Sequence, residues 1–185
     1  MPISKKKIEE LSQYYLQNGF NHSTDEIVEG MDISRKTFFN RYKSKENSVQ
    51  MVLEAWYENI RERFQEKAAQ CNHAVEELVQ FGYELHYIRH KEHVFYQYVK
   101  THNLLYQEDL PFVQILASIL RNGINHYQFK EGVNEVLYAK YVMSNISSYH
   151  YTEMEREEVI RYLLSPILTE RTNMLLDELD IVSFF

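Results

Sequence analysis

Cysteine, helix breakers and long apolar runs are all scarce in this chain, and each scarcity excludes something. A single cysteine, Cys71, rules out an intrachain disulfide and fits a reducing cytoplasm. With no basic residue beside it, Cys71 reads as an inert thiol rather than a redox sensor. Five Gly and three Pro in 185 residues, with no sustained period-two alternation, argue against a β-fold. No stretch approaches the roughly 18–20 apolar residues of a membrane span, and no amino-terminal segment resembles a signal peptide. A cytoplasmic protein with no membrane partner is therefore expected. Nucleophile elbow, phosphate loop, H-E-x-x-H and dinucleotide fingerprint are all missing, so neither an enzyme nor a cofactor is expected.

What is present points to an all-α protein with an uneven charge. Hydrophobic residues make up 44%, enough for a real core, and the formal charge is −7. Residues 1–50 carry eight Lys/Arg and seven Asp/Glu, a net +1, whereas residues 51–185 carry −8. An acidic body is repelled by DNA, so any nucleic acid must be met by the amino-terminal part. There, residues 23–46 read as helix, tight turn, helix and the start of a third helix. Ser23 or Thr24 can cap the first of these, with Ile27, Val28 and Met31 on one face. Asp32 can make the turn, because Asp tolerates left-handed backbone. Ser34 can cap a short second helix in which Phe38 and Tyr42 point inward while Arg35, Lys36, Thr37, Asn40 and Arg41 point outward. Five basic and no acidic residues lie between Ile33 and Lys45, which describes a helix-turn-helix with a charged reading face.

Ile27-x5-Ile33-Ser34-x2-Thr37-Phe38-Phe39-x2-Tyr42-x-Ser44-Lys45-Glu46 resembles the amino-terminal signature of TetR-type transcriptional repressors, and the likeness extends back through Gly19-Phe20 to Ile8. It covers about residues 5 to 60, and the chain length also fits. The pattern departs from that family at Asp32, where Gly is usual, at Met31, where a small residue is usual, at Phe39, where Tyr often bonds a phosphate, and at Arg41, where His is common. The resemblance implies a three-helix DNA-binding head over residues 1–47 and a larger helical ligand-binding and dimerisation body over residues 48–185. Candidate DNA-binding residues are Ser23, Thr24, Ser34, Arg35, Lys36, Thr37, Phe39, Asn40, Arg41 and Lys45. Arg35, Lys36 and Thr37 are placed at bases or nearby phosphates, and Ser23, Thr24, Arg41 and Lys45 at phosphates. Lys5-Lys6-Lys7 is either a basic arm touching DNA or a solvated terminus.

Along the rest of the chain, helices are expected at about 4–18, stopped by Gly19; at 46–70, with Val49, Val52, Leu53, Trp56 and Ile60 on one side; at 73–90, capped by Asn72; at 92–103; at 111–127, opened by Pro111; and at 134–149. Thr152-x-x-Glu155 is a capping-box sequence opening a last segment that Pro166 should divide before Leu179. Eight aromatics between Tyr83 and Tyr127 suit a pocket for a flat or amphipathic ligand or, equally, an aromatic core. The resemblance places a ligand pocket in this region, with Tyr83, Tyr87, Tyr96, Phe112 and Ile115 as candidate contacts for an apolar or aromatic effector of unknown identity. His86, His90 and His93 share a helical face, but a break near Lys91 would separate His93, and no metal site is expected. Dimerisation, by resemblance, uses the last two long helices through Val136, Leu137, Val142, Met143, Ile146, Ile160, Leu163, Leu164, Ile167 and Leu168. The resulting expectation is a homodimeric, ligand-responsive repressor on a palindromic double-stranded operator. The alternative is a helical small-molecule-binding protein that has lost specific DNA binding.

Overall fold

The computed structural model describes residues 3–148, 163–172 and 174. Over them the chain is helical: α1 (Lys5–Asn18), α2 (Thr24–Gly30), α3 (Arg35–Tyr42), α4 (Lys45–Ala68), α5 (Ala74–Lys91), α6 (His93–Thr101), α7 (Pro111–Asn125) and α8 (Glu135–Ser148). No strand forms among the described residues beyond an isolated antiparallel bridge between Phe129 and Leu168. The capping box at Thr152 and the end of the chain lie outside the described residues.

Local chemistry explains most helix ends. Gly19 stops α1 at φ 79°, a left-handed conformation that its missing Cβ makes inexpensive. Asp32, at φ 51°, closes α2 in a Schellman motif: its own N–H donates to Glu29 O at 3.1 Å and the Ile33 N–H to Val28 O at 3.0 Å. Asn103 and Tyr127, both at φ 59°, end α6 and α7 in the same way, through Leu104 N to Val99 O and Gln128 N to Gly123 O, each 2.8 Å. One expected cap is corrected. The residue before α5 is His73, not Asn72, and its side chain makes no capping bond; the Asn72 N–H instead donates to Glu76 Oε2 at 2.6 Å.

One continuous apolar core runs through head and body. Helices α1 and α3 pack on α4, with α2 against α3, and Val49, Val52, Leu53, Trp56 and Ile60 of α4 are all buried. In the body, α7 lies against α5, α4 and α8. Aromatic rings bridge the two parts: Phe20 stacks on Tyr15 of α1 (4.8 Å between centroids) and meets Phe95 and Tyr98 of α6 at 5.2 and 4.3 Å. Phe95 continues to Trp56 at 5.2 Å, and Trp56 to Phe112 at 6.0 Å.

The body also buries charge. Glu84 of α5, 1% exposed at its side chain, accepts from Arg63 Nε at 2.7 Å and Lys67 Nζ at 3.0 Å, both on α4. Arg63 also donates to both oxygens of Glu92, which accepts from Trp56 Nε1 at 2.5 Å. Two acids and two bases thus balance at the α4–α5 contact, which is what burial of a carboxylate requires.

Candidate functional site

The helix-turn-helix is built from both faces of a short helix. On the inner face of α3, Phe38 and Tyr42 are fully buried, 5.1 Å apart between centroids. Burial raises the Tyr42 hydroxyl above its ordinary pKa, with the Arg41 charge partly offsetting this, and that hydroxyl donates to Lys7 O of α1 at 3.2 Å. Ser34 caps the start by accepting from the Thr37 N–H at 3.1 Å. At the far end, where Lys43 takes φ 67°, Asn47 Nδ2 of α4 donates to Tyr42 O at 2.8 Å, satisfying a terminal carbonyl.

The helix before it is fixed as firmly. Ser23 accepts from the Glu26 N–H at 3.4 Å while Glu26 Oε2 accepts from the Ser23 N–H at 2.7 Å, a reciprocal capping box. The Ser23 hydroxyl also donates to Glu26 Oε2 at 2.7 Å, and this bond, with the one from the Ser23 N–H, holds the Glu26 carboxyl below its usual pKa. Tyr14 of α1 shares a 2.7 Å hydrogen bond with His22 Nδ1 and donates to Glu26 O at 3.2 Å, and Tyr15 shares one of 2.7 Å with the buried Ser48 of α4. Sequence reasoning missed these tyrosine and serine braces because their partners lie up to 33 residues away.

Of the ten candidate DNA-binding residues, Ser23, Ser34, Arg35, Lys36, Phe39 and Asn40 are exposed, and Thr24, Thr37, Arg41 and Lys45 are half-buried. Phe39, 44% exposed, is the large apolar side chain on the outer face of α3. Arg41 borders a cleft of about 280 Å³ between α1 and the turn, with Glu10, Asn18 and Met31 also in its lining. Ser34 and Thr37 share a hydroxyl–hydroxyl bond of 2.8 Å. Arg35 is engaged by Asp25 of α2, its Nε and Nη2 donating to the two carboxylate oxygens.

The candidate effector contacts are less gathered. Phe112, Tyr96 and Ile115 are buried, Tyr83 is half-buried, and Tyr87 is 42% exposed under the Arg63 guanidinium. Phe112 packs on Trp56 and Tyr57 as core. Among the described residues, the Tyr57 hydroxyl and His86 Nδ1 are buried polar atoms without a hydrogen-bond partner. Burial drives the Tyr57 hydroxyl far above its usual pKa, so it stays protonated as a donor. An open cleft of about 570 Å³ lies elsewhere, along α7 and α8, lined by Glu108, Asp109, Val113, Gln114, Ala117, Arg121 and Val136. His86 and His90 lie 4.3 Å apart, but α5 ends before His93, and no metal-binding cluster forms among the described residues.

The expected dimer residues divide sharply. Val142, Met143, Leu163, Leu164, Ile167 and Leu168 are buried in the core of the single chain. Val136 and Ile146 are half-buried, and Leu137 is 66% exposed beside Tyr141 at 48%, one turn on along α8. Ile160 lies outside the described residues. No helix of the described residues is long and apolar enough to cross a membrane.

No protein-family model and no curated protein matches the sequence. Solved structures do match its shape. The transcriptional regulator FadR from Bacillus subtilis, in complex with stearoyl-CoA, is 19% identical, with a TM-score of 0.62 over 96% of this chain and 97% of its own. A gamma-butyrolactone receptor, an ArpA-like protein, gives a TM-score of 0.64 at 12% identity over 95% of this chain and 91% of its own. The ketosteroid transcriptional regulator KstR2 of Mycobacterium tuberculosis gives 0.55 at 16% identity over 91% and 97%. Helix order, helix-turn-helix head and these neighbours agree: the chain has the fold of the TetR-type transcriptional regulators.

Proposed function

We propose that the protein is a ligand-responsive transcriptional repressor that binds a palindromic operator as a homodimer. The observation that carries this reading is the construction of α3. Its inner face is locked by Phe38 and Tyr42, and its outer face offers Arg35, Lys36, Phe39 and Asn40 to solvent. Arg and Lys suit guanine, Asn suits adenine, and an exposed Phe suits a thymine methyl in the major groove. Half-buried Arg41 and Lys45 and the Ser23 and Thr24 hydroxyls flank that face as phosphate contacts. Asp32 takes the left-handed conformation that Gly would, which weighs against the alternative of a head without specific DNA binding. Selection from a randomised duplex pool tests the reading directly: a palindrome should emerge, and an unenriched pool would overturn it.

In this reading the exposed Leu137–Tyr141 patch of α8 is the protomer's contribution to the dimer contact. Leu137→Asp should therefore dissociate the dimer in sedimentation without unfolding it. The effector is apolar or aromatic and meets Tyr83, Tyr87, Tyr96, Phe112 and Ile115, with the unpartnered Tyr57 hydroxyl and His86 Nδ1 as polar anchors. One fold neighbour, FadR, was solved with stearoyl-CoA, a ligand with a long apolar chain. To change operator affinity a hundredfold, the effector must prefer one separation of the heads by about 2.7 kcal/mol. α4 and the Phe20–Phe95–Trp56 rings would carry the change.

A further inference from the structure

Asp25, in the first turn of α2, engages the first residue of α3. Arg35 is the first residue of α3, and in helix-turn-helix docking the amino-terminal residues of the second helix approach the base edges. Its guanidinium is not free. Nε–H and one Nη2–H both donate to the Asp25 carboxylate in a side-on, two-bond fork, although both side chains are more than 60% exposed. The fork with Arg35 holds the Asp25 carboxyl below its usual pKa, and Asp25 raises that of the Arg35 guanidinium.

A planar guanidinium has five N–H groups. With its side-on edge occupied, the second Nη2–H and the two Nη1–H remain, and the end-on pair formed by Nη1 and Nη2 matches the N7 and O6 acceptors of guanine. An unpaired arginine would swing among phosphates. One tethered at its side edge loses that freedom, and part of its charge is neutralised, so it contributes less to sequence-independent attraction. We propose that Asp25 is a specificity-determining residue, which holds Arg35 end-on to read a guanine in each half-site. This deepens the DNA-reading proposed above and rests on it. Asp25 touches no base; it acts as a positioning residue.

The test uses the full-length protein and a randomised double-stranded DNA pool, followed by titration of the selected duplex and of variants with each G·C pair replaced by A·T. Arg35→Ala identifies the guanine that Arg35 reads. Asp25→Ala and Asp25→Asn should then lower the preference for that guanine by about fivefold or more while other positions keep theirs. Affinity for a scrambled duplex should rise, with a salt slope steeper by up to about one, because a cation has been released toward phosphates. If both Asp25 variants raise affinity for all sequences by one factor and keep the guanine preference, Asp25 is only a charge near DNA and the inference is overturned. It is equally overturned if no selected guanine depends on Arg35. Failure of the wild type to enrich any duplex would instead overturn the DNA-reading itself.

Discussion

Replacing Phe20 by Ala should loosen the joint between head and body at a calculable cost. Phe20 is 7% exposed and meets three rings at 4.3 to 5.2 Å, Tyr15 on the head side and Phe95 and Tyr98 on the body side. Truncating a buried Phe costs about 3–5 kcal/mol through lost transfer energy and the cavity left behind. The ring-specific part is smaller, about 0.5–1.5 kcal/mol per pair. Phe20→Leu, which keeps most of the volume, should therefore cost only about 1–2 kcal/mol. With a urea slope of about 2–3 kcal/mol/M, Phe20→Ala should lower the unfolding midpoint by about 1–2.5 M. The assay is equilibrium urea unfolding at fixed protein concentration, because dimerisation would make the midpoint concentration-dependent. A double-mutant cycle with Phe95→Leu should return a coupling of about 0.5–1.5 kcal/mol. A Phe20→Ala midpoint shift below about 0.3 M, or a coupling near zero, would refute the idea that these rings join the two parts.

Other perturbations probe the body. Glu84→Ala leaves Arg63 and Lys67 facing each other without their buried carboxylate and should cost about 3 kcal/mol, toward the low end for broken buried pairs because both cations are about a third exposed; an unchanged unfolding midpoint would contradict that. Gly123→Ala places a Cβ 2.2 Å from the ring of Phe129, which is 2% exposed and has nowhere to go. It should cost about 1–2 kcal/mol despite the better helix propensity of Ala, and Phe129→Leu in the same chain should recover part of the loss. Burial raises the Glu77 carboxyl above its ordinary 4.5, only partly offset by the Asn122 amide at 2.6 Å. The folded chain thus holds that proton more tightly than the unfolded one, and Glu77 contributes most below pH 4.5 and progressively less as pH rises through the raised value. Glu77→Gln should be more stable than wild type at pH 7, with the difference closing near about pH 4 in thermal melts.

The head was largely legible in the sequence because its signals are local. Ser23, Ser34, Asp32 and Gly19 act within four residues of themselves, and their types nearly dictate the caps and left-handed turns they form. Tyr127 shows the limit: a tyrosine at φ 59° carries no turn signal, and only the packing that follows α7 puts it there. The ion pairs of Glu84 were invisible for a similar reason. An acid in an apolar stripe looks like an interruption until Arg63 and Lys67, 21 and 17 residues away, are brought beside it. The apolar residues after Asn134 show the third limit. Periodicity marks a buried face but not what buries it, and Val142, Met143 and Leu164 are covered by their own chain. The Asp25–Arg35 fork joins two residues each visible in the sequence, ten apart, whose contact depends on how the turn at Asp32 folds α2 back over α3.

The salt dependence of operator binding tests the central claim most directly. In the proposed reading Arg41 and Lys45 meet phosphates and Lys36 a base or nearby phosphate, about three cations per head and about six per proposed dimer. Fluorescence anisotropy on the selected palindrome should then show the logarithm of affinity falling with the logarithm of salt at a slope of about −5, a loss of roughly a thousandfold between 50 and 200 mM. An affinity that does not change over that range would contradict recognition of DNA through this face.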